Sequence, residues 1–235
     1  MSTQYHAIAI DGPSGAGKST LSQQLARALG YLHVDTGAIY RTVGLAACRR
    51  GISMEDQAGI EAILPQLDIR MRFGPEGGQQ MLLNGEDVSG EIRRHEISAW
   101  ASAVSAIPAV REFLLEMQRR MAREQNVIMD GRDIGTVVLP DADVKIFLTA
   151  QPEDRAHRRY LELLERGQQA QEAQVLRDVI ARDEQDTHRA TAPLRQAPDA
   201  LVADTTGMSR EESFQLLLKL IRNRLGEGGG AGDEK

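Results

Sequence analysis

Cysteine is nearly absent from this chain of 235 residues: Cys48 is the single example. An internal disulfide is therefore excluded, and a single cysteine is typical of the reducing cytoplasm. We interpret Cys48 as a buried small apolar residue and not as a reactive thiol. Long apolar runs are missing too, since none approaches the roughly 18 residues of a membrane-spanning helix. The first residues also lack the basic stretch and apolar block of a secretory signal. We therefore expect a cytoplasmic protein without a membrane span.

Lysine is scarce, and positive charge is in deficit. Only four of the 28 basic residues are lysine, and the formal net charge is −6. This balance disfavours nonspecific binding to nucleic acid, which requires a broad basic face. Arginine forks suit bidentate contacts with phosphate, but an arginine-favouring genome produces the same bias. The placement of the arginines, and not their number, must decide their role.

One glycine-rich stretch matches the phosphate-binding loop pattern G-x-x-x-x-G-K-[ST] at every fixed position. Residues 7–10 before it read as a buried strand and residues 20–29 after it as a helix, although a chance glycine-rich turn is the alternative. Glycines let backbone N–H groups surround phosphates, and the helix points its positive end at the same anion. Lys18 would then reach the β- and γ-phosphates, and Ser19 would bind Mg²⁺. The residues assigned to the nucleoside triphosphate are Gly12, Pro13, Ser14, Gly15, Ala16, Gly17, Lys18, Ser19 and Thr20.

Strand and helix patterns alternate along the chain. They predict an α/β fold with a parallel sheet flanked by helices and with ligands at the carboxyl ends of the strands. Residues 68–73 and 79–83 alternate polar and apolar side chains around a Gly/Pro group, which predicts an inserted antiparallel hairpin. The predicted strands are 7–10, 32–35, 127–129, 144–149 and 200–203, and the predicted helices are 20–29, 38–50, 56–67, 92–125 with a break near Pro108, 153–166, a helix between residue 174 and Pro193, and 210–225.

Thr36 follows the second predicted strand, at a carboxyl end where such a sheet binds ligands. In one interpretation Thr36 caps the next helix and Arg41 is a solvated surface charge. In the other, Thr36, Tyr40 and Arg41 contact a second ligand near the triphosphate. The local chemistry leaves both interpretations open.

Three charged residues follow the apolar strand at 127–129, and charges at such a position are costly unless they are solvated or bound to a ligand. We favour a binding role for Arg132 and Asp133. Asp130 resembles the acid at the end of a second nucleotide-binding strand, which holds Mg²⁺ directly or through water.

Arginines also gather on two predicted helices. Arg155, Arg158 and Arg159 share one helix face at i, i+3 and i+4, and these like charges repel unless an anion neutralises them. A solvated face balanced by neighbouring glutamates is the alternative. Arg182 and Arg189 are seven residues apart, so two helical turns would place them on one face.

A phosphate-binding loop alone does not separate kinases from GTPases and mechanical ATPases. The chain lacks the Asn-Lys-x-Asp run with which GTPases bind guanine, and it is short for a mechanical ATPase. Arg and Asp residues at strand ends indicate a second anionic ligand beside the triphosphate. Phosphoryl transfer between two such ligands needs in-line placement, charge neutralisation and a lid that excludes water. These features favour a kinase.

Three motifs in order resemble those of the bacterial cytidylate kinases, nucleoside monophosphate kinases of the P-loop class. They are residues 35–41 (DTGAIYR), residues 131–138 (GRDIGTVV) and residues 182–194, with R-D-x-x-D and A-P-L. Residues 84–89 resemble that family's insertion, and the likeness runs from about residue 6 to residue 225. The resemblance implies one domain, 1–225, with a monophosphate-binding insertion at about 60–105 and a lid at about 153–192. The glycine-rich tail at 226–235 lies outside the resemblance, and because its composition cannot build a core we expect it to be disordered.

The resemblance implies transfer of the γ-phosphoryl group of ATP to CMP or dCMP, with Mg²⁺. A carboxylate at Asp133 would accept from the exocyclic amino group of cytosine. The implied catalytic residues are Lys18, Arg132, Arg158 and Arg182, the further ATP contacts from the lid are Arg155 and Arg159, and the acceptor-binding residues are Thr36, Tyr40, Arg41, Ser102, Arg111, Arg132, Asp133, Asp186 and Arg189.

Two alternatives stay open at this point. A kinase of the same layout could take another acceptor, such as UMP or a non-nucleotide acid. A nucleotide-dependent switch would bind ATP without acceptor-dependent release of ADP, but it would leave the Arg and Asp residues unexplained. We expect a monomer whose partners are small nucleotides, with no nucleic acid and no membrane.

Overall fold

The structure is a computed structural model that describes residues 5–74, 78–165 and 167–226. The tail predicted to be disordered, 226–235, lies outside the described residues except for Gly226. The strands of the described part are β1 (Ala7–Asp11), β2 (Leu32–Asp35), β3 (Ile69–Phe73), β4 (Gln79–Leu83), β5 (Glu86–Asp87), β6 (Val127–Gly131), β7 (Val144–Thr149) and β8 (Leu201–Asp204).

The main sheet is parallel and has five strands in the order β2-β6-β1-β7-β8. Because β1 lies in the middle, the glycine-rich loop that follows it opens at the centre of the carboxyl edge. The α/β prediction is confirmed. The helices of the described part are α1 (Lys18–Leu29), α2 (Thr36–Arg49), α3 (Gln57–Ile63), α4 (His95–Ser105), α5 (Pro108–Glu124), α6 (Pro152–Glu165), α7 (Glu172–His188) and α8 (Arg210–Leu225).

Helices cover both faces of the main sheet, because strand residues are apolar on both sides. On β1, Ile8 and Ile10 belong to a buried cluster with α1 and α8, while Ala9 belongs to a second cluster with α2, α4 and α5. Within the described ranges, no helix combines the length and the apolar character needed to cross a bilayer.

The antiparallel insertion is present as predicted. β3 and β4 pair from Ile69 opposite Leu83 to Phe73 opposite Gln79, and β5 adds a short third strand. Gln79 ties this insertion to the main sheet, since its Oε1 accepts from the Asp35 N–H at 2.8 Å and its Nε2 donates to the Asp35 carbonyl at 3.2 Å. The insertion therefore meets the sheet at the start of α2.

The start of α2 differs from the predicted one by two residues. The Asp35 carboxylate caps the helix by accepting a hydrogen bond from the Ala38 N–H at 3.1 Å, so α2 begins at Thr36. The interpretation of Thr36 as the cap is therefore wrong. The interpretation of Cys48 as a buried residue is wrong as well, because Cys48 lies exposed in the last turn of α2.

The end of α7 also differs, because the helix stops at His188 and not at Pro193. Arg189 follows it with φ −60° and ψ 139°, an extended conformation that leaves the helical path. The prediction that Arg182 and Arg189 share one helix face is therefore wrong. The two side chains reach the site from a helix and from the loop after it.

Gly44→Ala is expected to destabilise the fold, although alanine favours helix. A Cβ at Gly44 on α2 would lie 2.6 Å from the Trp100 Cβ on α4. Overpacking of this kind costs about 1–3 kcal/mol, more than the gain of up to about 1 kcal/mol in helix propensity. Urea unfolding would measure the loss. Gly90→Ala is the control, because its Cβ would meet no atom within 4 Å beyond its chain neighbours, and equal stability of the two variants would contradict this packing argument.

Candidate functional site

The loop between β1 and α1 has the geometry of a phosphate-binding loop. Gly12 has φ 151°, and a Cβ there would lie 1.9 Å from the Leu148 carbonyl oxygen on β7. Gly17 has φ 88°, a left-handed conformation that lets α1 begin directly at Lys18. The free N–H groups at the start of α1 therefore point into the loop, where an anion is favoured.

Lys18 is buried in this loop, and its ammonium group donates to the Pro13 carbonyl at 2.7 Å. Burial lowers the pKa of Lys18 to about 7, the charge of Arg132 adds to the shift, and the nearby aspartates oppose it. The negative charge of a polyphosphate would favour the protonated form and raise the pKa again.

Ser19, Asp130 and His33 form a hydrogen-bonded chain beside the loop. The Ser19 hydroxyl donates to Asp130 Oδ2 at 2.7 Å, and His33 Nε2 lies 2.6 Å from Asp130 Oδ1. Burial alone would raise the pKa of Asp130, but the hydrogen bonds from His33 and Ser19 keep it below its usual range. The ionised carboxylate and the hydroxyl are oxygen ligands that suit Mg²⁺.

The residues present fit a metal that is shared with the nucleotide. Among the described residues, no group of three or more His, Cys, Asp or Glu side chains could hold a metal ion by itself. Mg²⁺ usually takes one or two protein oxygens and completes its shell with phosphate oxygens and water. Ser19 and Asp130 supply that number.

Asp133 lies between two arginines from distant parts of the chain, and we call these three residues the Asp133 group. Asp133 forms an ion pair with Arg111 of α5, and Asp133 Oδ1 lies 3.7 Å from Nη2 of Arg189. Arg111 also donates to the Ser105 carbonyl at 3.1 Å and stacks 5.5 Å from the centre of the Tyr40 ring. These contacts gather four residues predicted for the acceptor.

A second set of ion pairs, the Asp186 group, consists of Asp186, Arg132 and Arg182. Arg132 Nε donates to Asp186 Oδ2 at 2.8 Å, and Arg182 Nε lies 3.6 Å from the same oxygen. Burial would raise the pKa of Asp186, but the two arginines lower it. Nearby, the Ser102 hydroxyl donates to Oε1 of Gln185 at 3.0 Å, so α7 contacts both the residue that follows β6 and α4.

Thr36 and Arg41, in the first turns of α2, contact residues at the carboxyl edge of the sheet. The Thr36 hydroxyl donates to the Asp130 carbonyl at 2.8 Å, and Arg41 pairs with the capping Asp35 at 2.8 Å. The bond from Thr36 joins the start of α2 to the end of β6. Thr36 therefore has a role at the sheet edge that is distinct from helix capping.

Buried guanidinium nitrogens without a hydrogen-bond partner mark the same region. Within the described part of the chain they are Arg41 Nε, Arg182 Nε and Arg189 Nη2. Burial also lowers the pKa of Arg182 and Arg189. Arg182 Nε and Arg189 Nη2 do face carboxylates, but at 3.6 and 3.7 Å these ion pairs are longer than hydrogen bonds. A buried donor without a hydrogen bond is costly, so these arginines favour an anionic ligand.

Arg155 of α6 contacts the phosphate-binding loop directly. It donates to the Ser14 carbonyl at 3.0 Å and forms a bidentate pair with Asp183 of α7 at 3.0 and 2.6 Å. Arg155 thus joins the loop to both helices of the predicted lid.

Arg158 and Arg159 have other partners. Arg158 donates to the Thr205 carbonyl at 2.7 Å, and Arg159 pairs with Glu162 at 2.7 Å. The side chains of the three arginines of α6 therefore do not point at one common site. Their charges are balanced by protein groups, and no anion is needed to offset their repulsion. Contact of Arg158 and Arg159 with ATP stays a prediction.

Asp11, at the end of β1, links the two halves of the site. Its two carboxylate oxygens accept from the Ile134 N–H and the Gly135 N–H, each at 2.7 Å. Asp11 precedes the phosphate-binding loop, and Ile134 follows Asp133. The carboxylate therefore fixes the turn after β6 against the start of the loop.

Comparison with known proteins decides the family. A family model described as cytidylate kinase matches residues 8–223. The chain belongs to the cytidylate kinase family. Cytidylate kinase from Geobacter sp. (strain M21) is 50% identical over 222 residues, which are 94% of this chain and 94% of the relative. Cytidylate kinase from Caldicellulosiruptor bescii is 52% identical over 214 residues, which are 91% of this chain and 94% of the relative.

The resemblance found in the motifs is thus confirmed, and a member of the cytidylate kinase family is an ATP-dependent phosphotransferase. A crystal structure of an uncharacterized protein from Eubacterium ventriosum is similar in fold, with a TM-score of 0.50 and 11% identity. The match covers 92% of this chain and 98% of the other.

Asp11 and His33 are the site residues of this cytidylate kinase family member that sequence reasoning missed. Asp11 carries the same signal as Asp130, a charge at the carboxyl end of an apolar strand, and this signal is sufficient to indicate it. His33 lies inside a strand of four residues, where nothing in the local pattern shows which neighbour it faces.

Asp11→Asn is expected to flatten the pH dependence of stability between about pH 4 and 6. Burial raises the pKa of Asp11 from 3.8 to about 6, against the lowering effect of the Gly135 and Ile134 N–H groups. In this window the folded chain holds a proton that the unfolded chain has released. The contribution of Asp11 to stability therefore falls as pH rises, by about 3 kcal/mol in total, and is constant above the window.

Urea unfolding of both proteins at several pH values measures this difference. The stability of the asparagine variant relative to the unchanged protein should rise as pH rises through the window. The variant also loses a constant amount of stability, because its side-chain NH₂ group faces a backbone N–H, but this loss does not depend on pH. Asp141→Asn, at an exposed position before β7, is the matched control and should follow the unchanged protein. Parallel curves for Asp11→Asn would contradict the raised pKa.

Proposed function

We propose that this chain transfers the γ-phosphoryl group of ATP to CMP or dCMP and releases ADP with CDP or dCDP. The observation that carries the proposal is the set of buried guanidinium nitrogens without hydrogen bonds on Arg41, Arg182 and Arg189. Arg182 belongs to the Asp186 group, whose charges act on Lys18 of the phosphate-binding loop. These nitrogens favour a second anionic ligand next to the triphosphate, as transfer between two nucleotides requires. Membership of the cytidylate kinase family supports cytidine nucleotides as the acceptors.

The donor end is assigned to the loop between β1 and α1. Its N–H groups and Lys18 would hold the β- and γ-phosphates, and Arg155 would hold the loop against α6. Ser19 and Asp130 would hold Mg²⁺, whose chemistry is to neutralise charge on the phosphate oxygens. Thr20 follows Ser19 in the first turn of α1 and can add a further contact there.

The acceptor end is assigned to the Asp133 group and its neighbours. The side-chain oxygens of Asp133 would accept from the exocyclic amino group of cytosine, which uracil lacks, and Ser102 would contact the same base. Arg41 and Arg132 would bind the monophosphate, while Asp186 and Arg189 would bind the ribose and its phosphate. The remaining acceptor contacts assigned to this end are Thr36, Tyr40 and Arg111.

The reaction itself requires in-line placement and little covalent help. An oxygen of the acceptor phosphate forms the new bond to the γ-phosphorus, and the bond from that phosphorus to the β,γ-bridging oxygen breaks. Lys18 and Arg132 would stabilise the charge that shifts toward ADP. Arg182 and Arg158, from α7 and α6, would add charge when the lid closes and would help to exclude water.

We further propose that the enzyme acts as a monomer in the cytoplasm. Its proposed substrates and partners are small nucleotides. The net charge of −6 supports a preference for small ligands over nucleic acid.

Release of ADP in the presence of ATP and Mg²⁺ tests the proposal, with CMP, dCMP, UMP, AMP and GMP added in separate reactions. Rapid release with CMP and dCMP, and slow release with the others, is expected. Equal rates with UMP would remove the base-reading role of Asp133. Release that ignores every monophosphate would overturn the kinase proposal and favour a nucleotide-dependent switch.

A further inference from the structure

His33 lies on β2, next to the strand that carries Asp130. β2 and β6 are parallel neighbours in which His33 stands opposite Ile128 and Asp35 opposite Asp130. The His33 side chain is only 11% exposed, and its Nε2 lies 2.6 Å from Asp130 Oδ1. An imidazole in this place therefore contacts the carboxylate that faces Ser19.

The direction of this hydrogen bond follows from the state of the carboxylate. Asp130 accepts from the Ser19 hydroxyl through Oδ2, and an ionised carboxylate can only accept. His33 must therefore carry a hydrogen on Nε2 and donate it to Oδ1. With one donor on each oxygen, the carboxylate of Asp130 is held in a single orientation between β2 and α1.

We propose that His33 is a positioning residue for the metal of the bound nucleotide: its Nε2–H holds Asp130 so that Oδ2 faces the Ser19 hydroxyl. This inference rests on the part of the proposed function that assigns Mg²⁺ to Ser19 and Asp130, and it does not depend on the acceptor. Groups behind a metal ligand orient it, and their loss typically costs about 10- to 100-fold in metal affinity.

An apolar residue at position 33 would remove this restraint. Asp130 would keep the Ser19 hydroxyl as a donor, but its other oxygen would lose its partner in a buried place. The carboxylate would then be free to turn toward Lys18, whose positive charge already favours its ionised form. Both the metal position and the ammonium group of the loop would be affected.

The experiment compares His33→Leu with His33→Gln and a matched control. Gln keeps an N–H donor near the place of Nε2, whereas Leu removes it. His6→Leu removes a histidine at the amino end of the same sheet, where His6 Nδ1 lies 3.5 Å from Asp143, so it makes the same substitution away from the site. Melting temperatures without nucleotide report whether each variant is folded.

The principal readout is ATP binding by calorimetry without any acceptor, measured across a range of Mg²⁺ concentrations. His33→Leu should raise the Mg²⁺ concentration at half-maximal binding by about tenfold or more. His33→Gln should stay close to the unchanged protein, and His6→Leu should equal it. In steady-state assays the loss in His33→Leu should be recovered by excess Mg²⁺.

An unchanged Mg²⁺ midpoint in His33→Leu would overturn the inference, and so would equal losses in the Leu and Gln variants. If His33→Leu does not fold, the ring ¹⁵N spectrum of the unchanged protein decides, because the Nδ1–H tautomer at His33 would overturn it and the Nε2–H tautomer would support it. Failure of the proposed function is a separate result, since ADP release would then ignore CMP while ATP binding still depended on Mg²⁺ and His33.

Discussion

Lys18→Met is expected to lower the turnover number of phosphoryl transfer by about a hundred- to a thousandfold. Methionine keeps most of the length of the side chain but has no charge to place against the β- and γ-phosphates. The loss should exceed that in ATP affinity, because the charge on the leaving phosphate grows only as the bond breaks. Separate measurement of the turnover number and of the ATP dissociation constant tests this.

The stability of Lys18→Met separates a catalytic loss from unfolding. Because burial lowers the pKa of Lys18 to about 7, its charged form is costly in the folded chain, so a neutral side chain should not lower the melting temperature. Lys219→Met, at an exposed position on α8, is the control and should leave both constants unchanged. A turnover number in Lys18→Met that matches the control would exclude Lys18 from the reaction.

Arg132→Ala is expected to lower turnover with CMP by about a hundredfold while ATP binds with nearly unchanged affinity. Arg132 directly follows β6, its side chain is 20% exposed, and its Nε donates to Asp186 Oδ2 at 2.8 Å. Its removal takes away charge beside the transferred group and also frees Asp186 to move. The Michaelis constant for CMP should therefore rise as the turnover number falls.

Two further variants refine this result. Arg132→Lys keeps the charge but not the fork, and it should recover only part of the rate, because one ammonium cannot serve Asp186 and a phosphate with the same geometry. Arg70→Ala removes an exposed arginine of β3 that pairs with Asp68, and it should change neither constant. If Arg132→Ala weakened ATP binding as much as it slowed turnover, Arg132 would belong to the donor end.

The architecture was predictable because it depends on local patterns. Apolar strands, the glycine-rich loop and the Gly/Pro group of the hairpin each have a signal within about ten residues, and all three are present in the structure. The end of α7 was mispredicted because Pro193 marks a position that a helix cannot pass, but it does not show where the helix stops before it.

The site was only partly predictable, because its ion pairs join residues far apart in the chain. Arg111, Asp133 and Arg189 form one group through contacts that no spacing shows. The arginines of α6 illustrate the opposite case: their spacing is correct, yet Arg158 turns to the Thr205 carbonyl. The helical period predicts which side chains are neighbours on a helix, but the tertiary packing determines which partner each side chain contacts.

The close approach of Gly12 to β7 limits which amino acids evolution can place at residue 12. Every other amino acid carries a Cβ, and at this position it would overlap the Leu148 carbonyl oxygen of a central strand. The positive φ of Gly12, 151°, also disfavours any residue with a side chain at this position. Any functional descendant of this sequence is therefore expected to keep glycine at residue 12. In a library that randomises codon 12, selection for a functional protein should recover glycine alone.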